Sequence, residues 1–180
     1  MTTPLVHVNG WPGCGKLTIA RALRDRMGAC LIRNHIILDP ASALFERGTE
    51  ARAALRERLR DVIYEAAADL PEDRPIIVTD ALAETDRTGP LFEKTASLAA
   101  RTNRPLRAVV LDIAEDENVA RLMSAERYGT SKLTEPDTLR TLRVQHELMH
   151  LPGAPRFDVT ALAPDEAAGR IAEWLEGFDA

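Results

Sequence analysis

The chain has 180 residues, of which 45% are hydrophobic and 28% are charged, and its formal net charge at pH 7 is −5. This composition is typical of globular proteins, and the length predicts a core that needs no disulfide or structural metal. The negative charge argues against a nucleic-acid groove, because such a groove must neutralise many phosphates. No run approaches the ~20 apolar residues of a membrane helix, so we expect no membrane partner.

Two cysteines, Cys14 and Cys30, are too few for a disulfide framework. The N-terminal residues lack a basic stretch followed by a long apolar run, which is the pattern of a secretory leader. We therefore expect a single domain over residues 1–180 that works in the cytoplasm.

Strands and helices alternate along the chain. Apolar runs predict strands over residues 5–8, 30–32, 75–80, 106–113 and 156–160. Helical periodicity predicts helices over 16–27, 50–70, 91–102, 115–126 and 164–178, with another beginning in a capping box at Thr134. This alternation implies a three-layer α/β fold, in which a parallel sheet is covered by helices on both faces.

Polar residues follow the second strand and line one side of the second predicted helix. Residues 33–35 predict a polar turn. In the helix over 50–70, Arg52, Arg56 and Arg60 are expected to lie on a solvated face, away from the apolar stripe.

A glycine-rich segment, GWPGCGK over residues 10–16, lies between the first strand and the first helix. It fits the Walker A phosphate-loop pattern in the strand, loop and helix setting that this pattern requires. Glycines let several backbone N–H groups surround an anion, the helix N-terminus adds partial positive charge, and Lys16 adds a full one. The expected nucleotide-binding residues here are Gly10, Gly13, Cys14, Gly15, Lys16, Leu17 and Thr18.

The loop departs from the pattern at one position. A Ser or Thr whose hydroxyl binds magnesium normally follows the lysine, but this chain has Leu17 there and Thr18 one place later. Magnesium keeps most of its waters and binds nucleotide phosphates with one or two carboxylates, so the missing hydroxyl need not abolish binding. We expect Thr18 to hydrogen-bond a phosphate oxygen instead.

The GWPGCGKLT loop, the five-strand pattern and a later arginine-containing polar segment resemble the small P-loop kinases of the nucleoside monophosphate kinase, shikimate kinase and chloramphenicol phosphotransferase group. The resemblance covers nearly the whole chain. It implies a P-loop NTPase fold with strand order 2-3-1-4-5, ATP as the phosphate donor with Mg²⁺, and a short lid at about residues 126–135. It also implies a small-molecule acceptor bound beyond the second and third strands.

Two groups of residues near the strand ends are candidates for the chemistry. Asp80 ends the third strand at the sheet edge that carries the phosphate loop. It would bind magnesium through water or accept the proton of the substrate hydroxyl, and a structural role as a turn cap is the alternative. Asn34, His35 and Asp39 follow the second strand and are candidates for binding the acceptor, with Asp39 as a second candidate base.

Basic residues after the fourth strand are candidates for contacts with the nucleotide phosphates. Arg121 and Arg127 match in position the lid arginines that the resemblance implies, and Lys132 lies in the same segment. A guanidinium binds two phosphate oxygens and stabilises transition-state charge, while a closing lid excludes water. We expect the catalytic residues to be Lys16, Asp80 and Arg127.

A second motif points to different chemistry. The HELMH segment satisfies the H-E-x-x-H pattern, which would place His146 and His150 one helical turn apart on zinc, with Glu147 as the base. Arg156 occupies the position of a third ligand, and a guanidinium does not bind zinc. A zinc hydrolase is therefore a remote alternative.

The sequence predicts an ATP-dependent kinase that phosphorylates a hydroxyl of a small molecule. One alternative is a nucleoside monophosphate kinase, although few positive groups beyond Arg33 and Arg47 follow the second strand to hold an acceptor phosphate. Another is a regulatory module that binds ATP and hydrolyses it slowly, for which the missing hydroxyl at Leu17 is the motive.

Overall fold

The computed structural model describes residues 2–85, 88–124, 132–151 and 153–178, over which five strands alternate with seven helices. The strands are β1 (Leu5–Gly10), β2 (Cys30–Arg33), β3 (Ile76–Thr79), β4 (Leu106–Asp112) and β5 (Arg156–Asp158). The helices are α1 (Lys16–Met27), α2 (His35–Leu44), α3 (Glu50–Ala68), α4 (Gly89–Arg101), α5 (Glu115–Leu122), α6 (Pro136–Gln145) and α7 (Pro164–Glu176). Within these residues, no helix is both long and apolar enough to cross a membrane.

The strands form one parallel sheet in the order β2-β3-β1-β4-β5, which confirms the predicted topology. Leu5 of the central strand β1 pairs with Ile76 of β3 on one side and with Leu106 of β4 on the other. Every residue of β1 is buried, as expected for a strand with neighbours on both sides and helices on both faces. The carboxyl ends of the strands meet at one edge of the sheet, where the phosphate loop leaves β1.

Two apolar clusters cover the two faces of the sheet. Val6 and Val8 of β1 pack with Leu23 of α1 and Ile171 of α7 on one face. Leu5 lies in the cluster on the opposite face, which α3 and α4 cover. Since neighbouring residues of a strand point to opposite faces, Val6 and Val8 serve one cluster and Leu5 serves the other, with the buried polar residues His7 and Asn9 on the face of Leu5. The predicted three-layer architecture is confirmed.

The segment after β2 differs from its prediction. The predicted polar turn over residues 33–35 is shorter: Arg33 ends β2, Asn34 forms the turn and His35 begins α2. The buried residues Ile37 and Ala41 of α2 are one helical turn apart. Pro40 lies inside this helix and removes one backbone donor. Because Pro40 follows the apolar residues 36–38 after only one residue, the local pattern did not predict a helix.

Two boundaries on the other side of the sheet also differ. The helix predicted over 115–126 ends at Leu122, and residues 125–131 lie outside the described part of the chain. Helix α6 begins at Pro136 with no side-chain cap. The hydroxyl of Thr134 donates instead to the carboxylate of Glu135, at 3.2 Å, so the predicted capping box is wrong.

Candidate functional site

A cavity of about 420 Å³ opens at the carboxyl ends of β1, β2 and β3. Its position agrees with the rule that ligands of open α/β sheets bind outside the carboxyl ends of the strands. The lining residues are Pro12, Gly13, Gly15, Lys16, Leu17, Thr18, Arg21, Arg33, Asn34, His35, Leu38, Arg47, Thr79, Ala81, Arg121, Ser124, Lys132 and Leu133. Among these described residues six are Lys or Arg and none is Asp or Glu, so the lining of the cavity is positively charged.

The phosphate loop adopts backbone conformations that glycine favours. Gly13 and Gly15 have φ angles of 88° and 99°, in the left-handed region. A Cβ on Gly13 would lie 2.9 Å from the side-chain nitrogen of Asn118, so this glycine also permits close packing. The Nζ of Lys16 donates to the carbonyls of Gly10 and Trp11, both at 2.8 Å, which places the ammonium over the loop.

Residues of α5 and α6 support the loop from behind. The amide of Asn118, which is fully buried, donates to the carbonyl of Pro12 at 2.9 Å and accepts from Arg143 at 3.1 Å. Arg143 also donates to the carbonyl of Ile113 at 3.1 Å, and its guanidinium lies 5.6 Å from the ring centroid of Trp11. Nothing in the local sequence distinguished Asn118, because its role depends on packing against a loop far away in the chain.

Arg121 lies against the phosphate loop and lines the cavity. Its guanidinium donates to the carbonyls of Cys14 at 3.3 Å, Val159 at 3.0 Å and Thr160 at 2.9 Å, while Glu117 accepts from its Nε at 2.7 Å. These contacts fix the side chain beside the loop. Arg127, together with the first part of the predicted lid, lies outside the described residues, whereas Lys132 is described and lines the cavity.

The predicted acceptor residues lie on the far side of the cavity. Asn34 and His35 line it, and the backbone N–H of Asn34 donates to the hydroxyl of Thr79 at 3.2 Å. His35 pairs through Nδ1 with the carboxylate of Asp39 at 2.9 Å. The Asp39 side chain is half exposed and is not itself part of the lining, so it reaches the cavity through His35.

Asp80 is buried beneath the cavity floor and lies at the centre of a hydrogen-bonded network. Arg60 donates to both of its oxygens, at 3.1 and 3.3 Å, and His7 donates from Nε2 at 3.3 Å, since a carboxylate can only accept. Burial opposes ionisation of Asp80, but the His7 hydrogen bond and the Arg60 charge outweigh it and hold the carboxyl pKa below its usual range. The cavity lining includes its neighbours Thr79 and Ala81 but not Asp80.

The burial of Arg60 corrects the prediction that the basic side of this helix is solvated. Only 2% of Arg60 is exposed, and besides Asp80 it donates to the hydroxyl of Tyr64 at 3.0 Å. Burial lowers the pKa of Arg60, but the Asp80 carboxylate more than compensates and raises it above its ordinary value. The four-residue spacing of Arg52, Arg56 and Arg60 correctly put them on one face of α3, but the spacing alone did not show which way that face turns.

Three arginines around the acceptor side, Arg33, Arg47 and Arg56, make no side-chain hydrogen bond or ion pair with the described residues, although Arg47 interacts electrostatically with the exposed carboxylate of Glu135. Arg33 and Arg47 line the cavity. Arg56 is half-buried, and its Nε is buried without a hydrogen-bond acceptor. Burial, and then the charges of Arg52 and Arg60, lower the Arg56 pKa. We call residues 33–35 together with Arg47 the acceptor edge.

The HELMH segment does not form the helix that zinc binding requires. Helix α6 ends at Gln145, and His146 follows in an extended conformation. Leu148 forms an antiparallel bridge with Ala83, and the N–H of Met149 donates to the carbonyl of Leu82 at 3.0 Å. Across the described residues, no group of three or more His, Cys, Asp or Glu side chains is placed to hold a metal. The prediction that the two histidines lie on a helix is wrong. The backbone of this segment instead hydrogen-bonds to residues 82–84, which follow β3.

The sheet order, the phosphate loop and the cavity above it define a P-loop protein with the fold of small kinases. A protein from Chloroflexus aurantiacus J-10-fl has a similar structure, with a TM-score of 0.70, 21% identity and 98% of each chain covered. A gluconokinase from Sinorhizobium meliloti 1021 has a TM-score of 0.62 and 17% identity, over 99% of this chain and 97% of that one. An APS kinase from Mycobacterium tuberculosis, in complex with AMPPNP and APS, has a TM-score of 0.62 and 14% identity, over 97% and 98%.

The chain belongs to the AAA domain family AAA_33, whose family model matches residues 5–151. That region contains the phosphate loop, the acceptor edge, Asp80 and the residues of α5 and α6 that support the loop. No curated protein matches the chain significantly. The resemblance to small P-loop kinases that the sequence suggested is confirmed.

Proposed function

We propose that this protein transfers the γ-phosphoryl group of ATP to a hydroxyl of a small molecule. One observation carries the proposal: the phosphate loop and the acceptor edge open into a single cavity, at the sheet edge where this fold binds its ligands. The acceptor oxygen would form a bond to the γ-phosphorus as the bond to the β–γ bridging oxygen breaks. ADP leaves, and the hydroxyl proton passes to a base or to water.

The residues around the loop have separate roles in this proposal. The loop N–H groups and Lys16 bind the outer phosphates, and Thr18 at the start of α1 reaches a phosphate oxygen. Arg121 holds the loop in shape through the carbonyl of Cys14 and presents positive charge to the same cavity. Arg127 would complete the site from the lid and stabilise charge that develops during transfer.

Magnesium fits this site if the protein holds it mainly through water. Leu17 supplies no hydroxyl, and both oxygens of Asp80 are engaged by Arg60 and His7, so the ion would be bound by nucleotide phosphates and waters that Asp80 orients. The ion, when bound, supplies positive charge that neutralises the transferring phosphoryl group.

The environment of Asp80 favours this magnesium role over that of a base. A carboxylate with a lowered pKa is a weak proton acceptor, and the lowered pKa of Asp80 follows from fixed contacts with His7 and Arg60. The pair of His35 and Asp39 lies on the acceptor edge and is the alternative group to receive the hydroxyl proton.

Thermal unfolding with AMPPNP and Mg²⁺ tests nucleotide binding. A ligand at a hundred times its dissociation constant stabilises the native state by about 2.7 kcal/mol, so the wild type should show a clear rise in Tm. Lys16→Ala should lose this rise. Lys94→Ala is the matched control, because Lys94 pairs with Asp61 away from the cavity, and it should keep the rise. An unchanged rise in Lys16→Ala would contradict the phosphate-loop assignment.

ADP release measured over a panel of hydroxyl-bearing metabolites tests the transfer itself. Release that requires one acceptor class supports a kinase. Release that proceeds equally without any acceptor supports the slow ATPase that the missing hydroxyl at Leu17 suggests, and contradicts the proposed transfer.

A further inference from the structure

We propose that the acceptor carries an anionic group, such as a carboxylate, phosphate or sulfate, and that Arg33 and Arg47 of the acceptor edge bind it. The inference rests on the proposed kinase function and specifies the substrate class for the same cavity. Three observations support it: the position of these arginines in the cavity, the lack of side-chain pairing to them among the described residues, and the positive charges beside them.

Arg33 and the phosphate loop lie on different strands of the sheet but line the same cavity. Arg33 ends β2 and pairs in register with Thr79 of β3, while the loop leaves β1 on the other side of β3. Two strand spacings separate β2 from β1, which is roughly 10 Å. A γ-phosphate bound at the loop therefore leaves room for an acceptor whose far end reaches Arg33 and Arg47.

Among the described residues, little negative charge faces this edge: the Glu135 carboxylate interacts electrostatically with Arg47 but is not part of the cavity lining. The side chains of Arg33 and Arg47 form no hydrogen bond or ion pair with the described residues, and no described lining residue is acidic. Asp80, the nearby buried carboxylate, is already engaged by Arg60 and His7. The excess is local, because the whole chain has a net charge of −5.

Two arginines that support the phosphate loop show the opposite arrangement, whereas Arg21 of α1 lines the cavity without a side-chain hydrogen bond or ion pair to the described residues. Arg121 donates to three backbone carbonyls and pairs with Glu117, and Arg143 donates to Asn118 and Ile113. The side chains of Arg121 and Arg143 are therefore held by protein partners. Arg33 and Arg47 have no such partners and line the cavity, where their guanidinium groups can each bind two oxygens of an anion.

Arg56 adds a third charge behind the edge. Its Nε is buried with no acceptor, and it experiences repulsion from Arg52, Arg60 and Arg47. An anion bound at the edge would relieve this repulsion in addition to pairing with Arg33 and Arg47. Arg33 and Arg47 are exposed, so water solvates them in the free protein, but an anionic acceptor would gain contacts with both guanidinium groups that a neutral acceptor would not.

Titration with inorganic phosphate in the presence of saturating AMPPNP and Mg²⁺ tests the edge while the loop is occupied. We expect a saturable rise in Tm for the full chain, compared with sodium chloride at equal ionic strength. The double variant Arg33→Gln/Arg47→Gln should raise the apparent Kd for phosphate at least tenfold. Arg58→Gln, an exposed position on α3, is the matched control and should bind phosphate like the wild type. No saturable rise in the wild type, or an equal rise in the double variant, would overturn the inference.

A second background separates this inference from the proposed function. In Lys16→Ala, without nucleotide, phosphate should still stabilise the protein, and adding Arg33→Gln/Arg47→Gln should remove that effect. If AMPPNP fails to stabilise the wild type but this result holds, the kinase proposal fails and the anion site stands. If AMPPNP stabilises the wild type but phosphate has no effect in either background, the nucleotide site stands and the anionic acceptor is wrong.

Discussion

The arginines on the two sides of the cavity differ in how many protein groups bind their side chains. On the loop side, the guanidinium groups of Arg121 and Arg143 are held by carbonyls, an amide and a carboxylate, and the loop itself is fastened to Asn118. On the acceptor edge, the side chains of Arg33 and Arg47 make no hydrogen bond or ion pair with the described residues, although Arg47 interacts electrostatically with Glu135. Arg56 behind them is repelled by Arg52, Arg60 and Arg47 and attracted by Asp80. On one side protein contacts fix Arg121 and Arg143, and on the other Arg33 and Arg47 are exposed to solvent in the cavity.

This difference has a physical reason. Many nucleotide-binding contacts come from backbone N–H groups, whose positions depend on a rigid loop, so the structure that supports the loop must be complete before binding. Recognition of an acceptor depends on a few side chains that become fully paired only in the complex. Substitutions on the loop side are therefore expected to affect the stability of the protein, and substitutions on the acceptor edge are expected to affect which acceptor it binds.

The largest effect is expected at Asp80, which lies between the two sides. Asp80→Asn leaves the buried Arg60 charge uncompensated, and breaking a buried ion pair in this way costs about 3–5 kcal/mol of unfolding free energy. Chemical denaturation measures this loss. The double variant Asp80→Asn/Arg60→Met should be less destabilised than the sum of its single variants, because the two side chains interact directly. Additive losses would show that the pair is not coupled.

The same residue predicts how stability depends on pH. The native pKa of Asp80 lies below its ordinary value of 3.8, so its contribution is fully present above that pH and is lost as the pH falls toward the native pKa. The fall in unfolding free energy between pH 5 and pH 3 should therefore be shallower in Asp80→Asn than in the wild type, by roughly one titrating group. Equal slopes in both proteins would contradict the lowered pKa.

A loss of about 10²-fold in turnover is expected for Arg127→Ala, with little change in the affinity for ATP. An arginine that meets the phosphates only when a lid closes acts on charge that develops during transfer, not on the bound nucleotide. Steady-state kinetics and nucleotide titration together separate these effects. Arg58→Ala, on the exposed face of α3, controls for the loss of any surface arginine. Full activity in Arg127→Ala would leave the lid role to another residue.

A smaller effect is expected where the loop is supported. Asn118→Ala removes the donor to the Pro12 carbonyl and the acceptor for Arg143, and an unsatisfied buried polar group costs about 1–3 kcal/mol. The variant should also bind AMPPNP more weakly, because its loop is no longer fixed. Denaturation and nucleotide titration measure the two effects. Arg140→Gln changes an exposed side chain of α6 and should alter neither.

Local sequence patterns were sufficient for the strands and the phosphate loop, whereas the strand order followed from the resemblance to small P-loop kinases. The apolar residues of β1 and the glycines after it predict a buried strand and a phosphate loop from about a dozen neighbouring residues, because strand burial and glycine conformation are local requirements. The acceptor edge was harder to predict. Pro40 obscured the helical pattern of α2. The spacing of Arg52, Arg56 and Arg60 placed them on one face of α3 but did not show whether that face points to solvent or to the protein interior.

Long-range contacts explain the remaining errors. Asn118 acquires its role by packing against Gly13 and Pro12, more than a hundred residues earlier. The HELMH segment satisfies a helical motif, but pairing of its backbone with residues 82–84 holds it extended. Neither contact has a signal in the local sequence, since each depends on where the fold brings distant backbone together.

The smallest effect is expected outside both sides of the cavity, at the two histidines of the HELMH segment. His146→Ala and His150→Ala should each leave turnover within a few fold of the wild type, because the extended backbone does not place the two rings one helical turn apart. What fastens the segment is its backbone, including a bond of 2.7 Å from the N–H of Glu84 to the carbonyl of Glu147, and an alanine at either histidine keeps these groups. Metal analysis of the purified protein should show no stoichiometric zinc, and a chelator should leave its Tm unchanged. Tightly bound zinc that disappears in either variant would contradict this arrangement and would restore a hydrolase as the leading alternative.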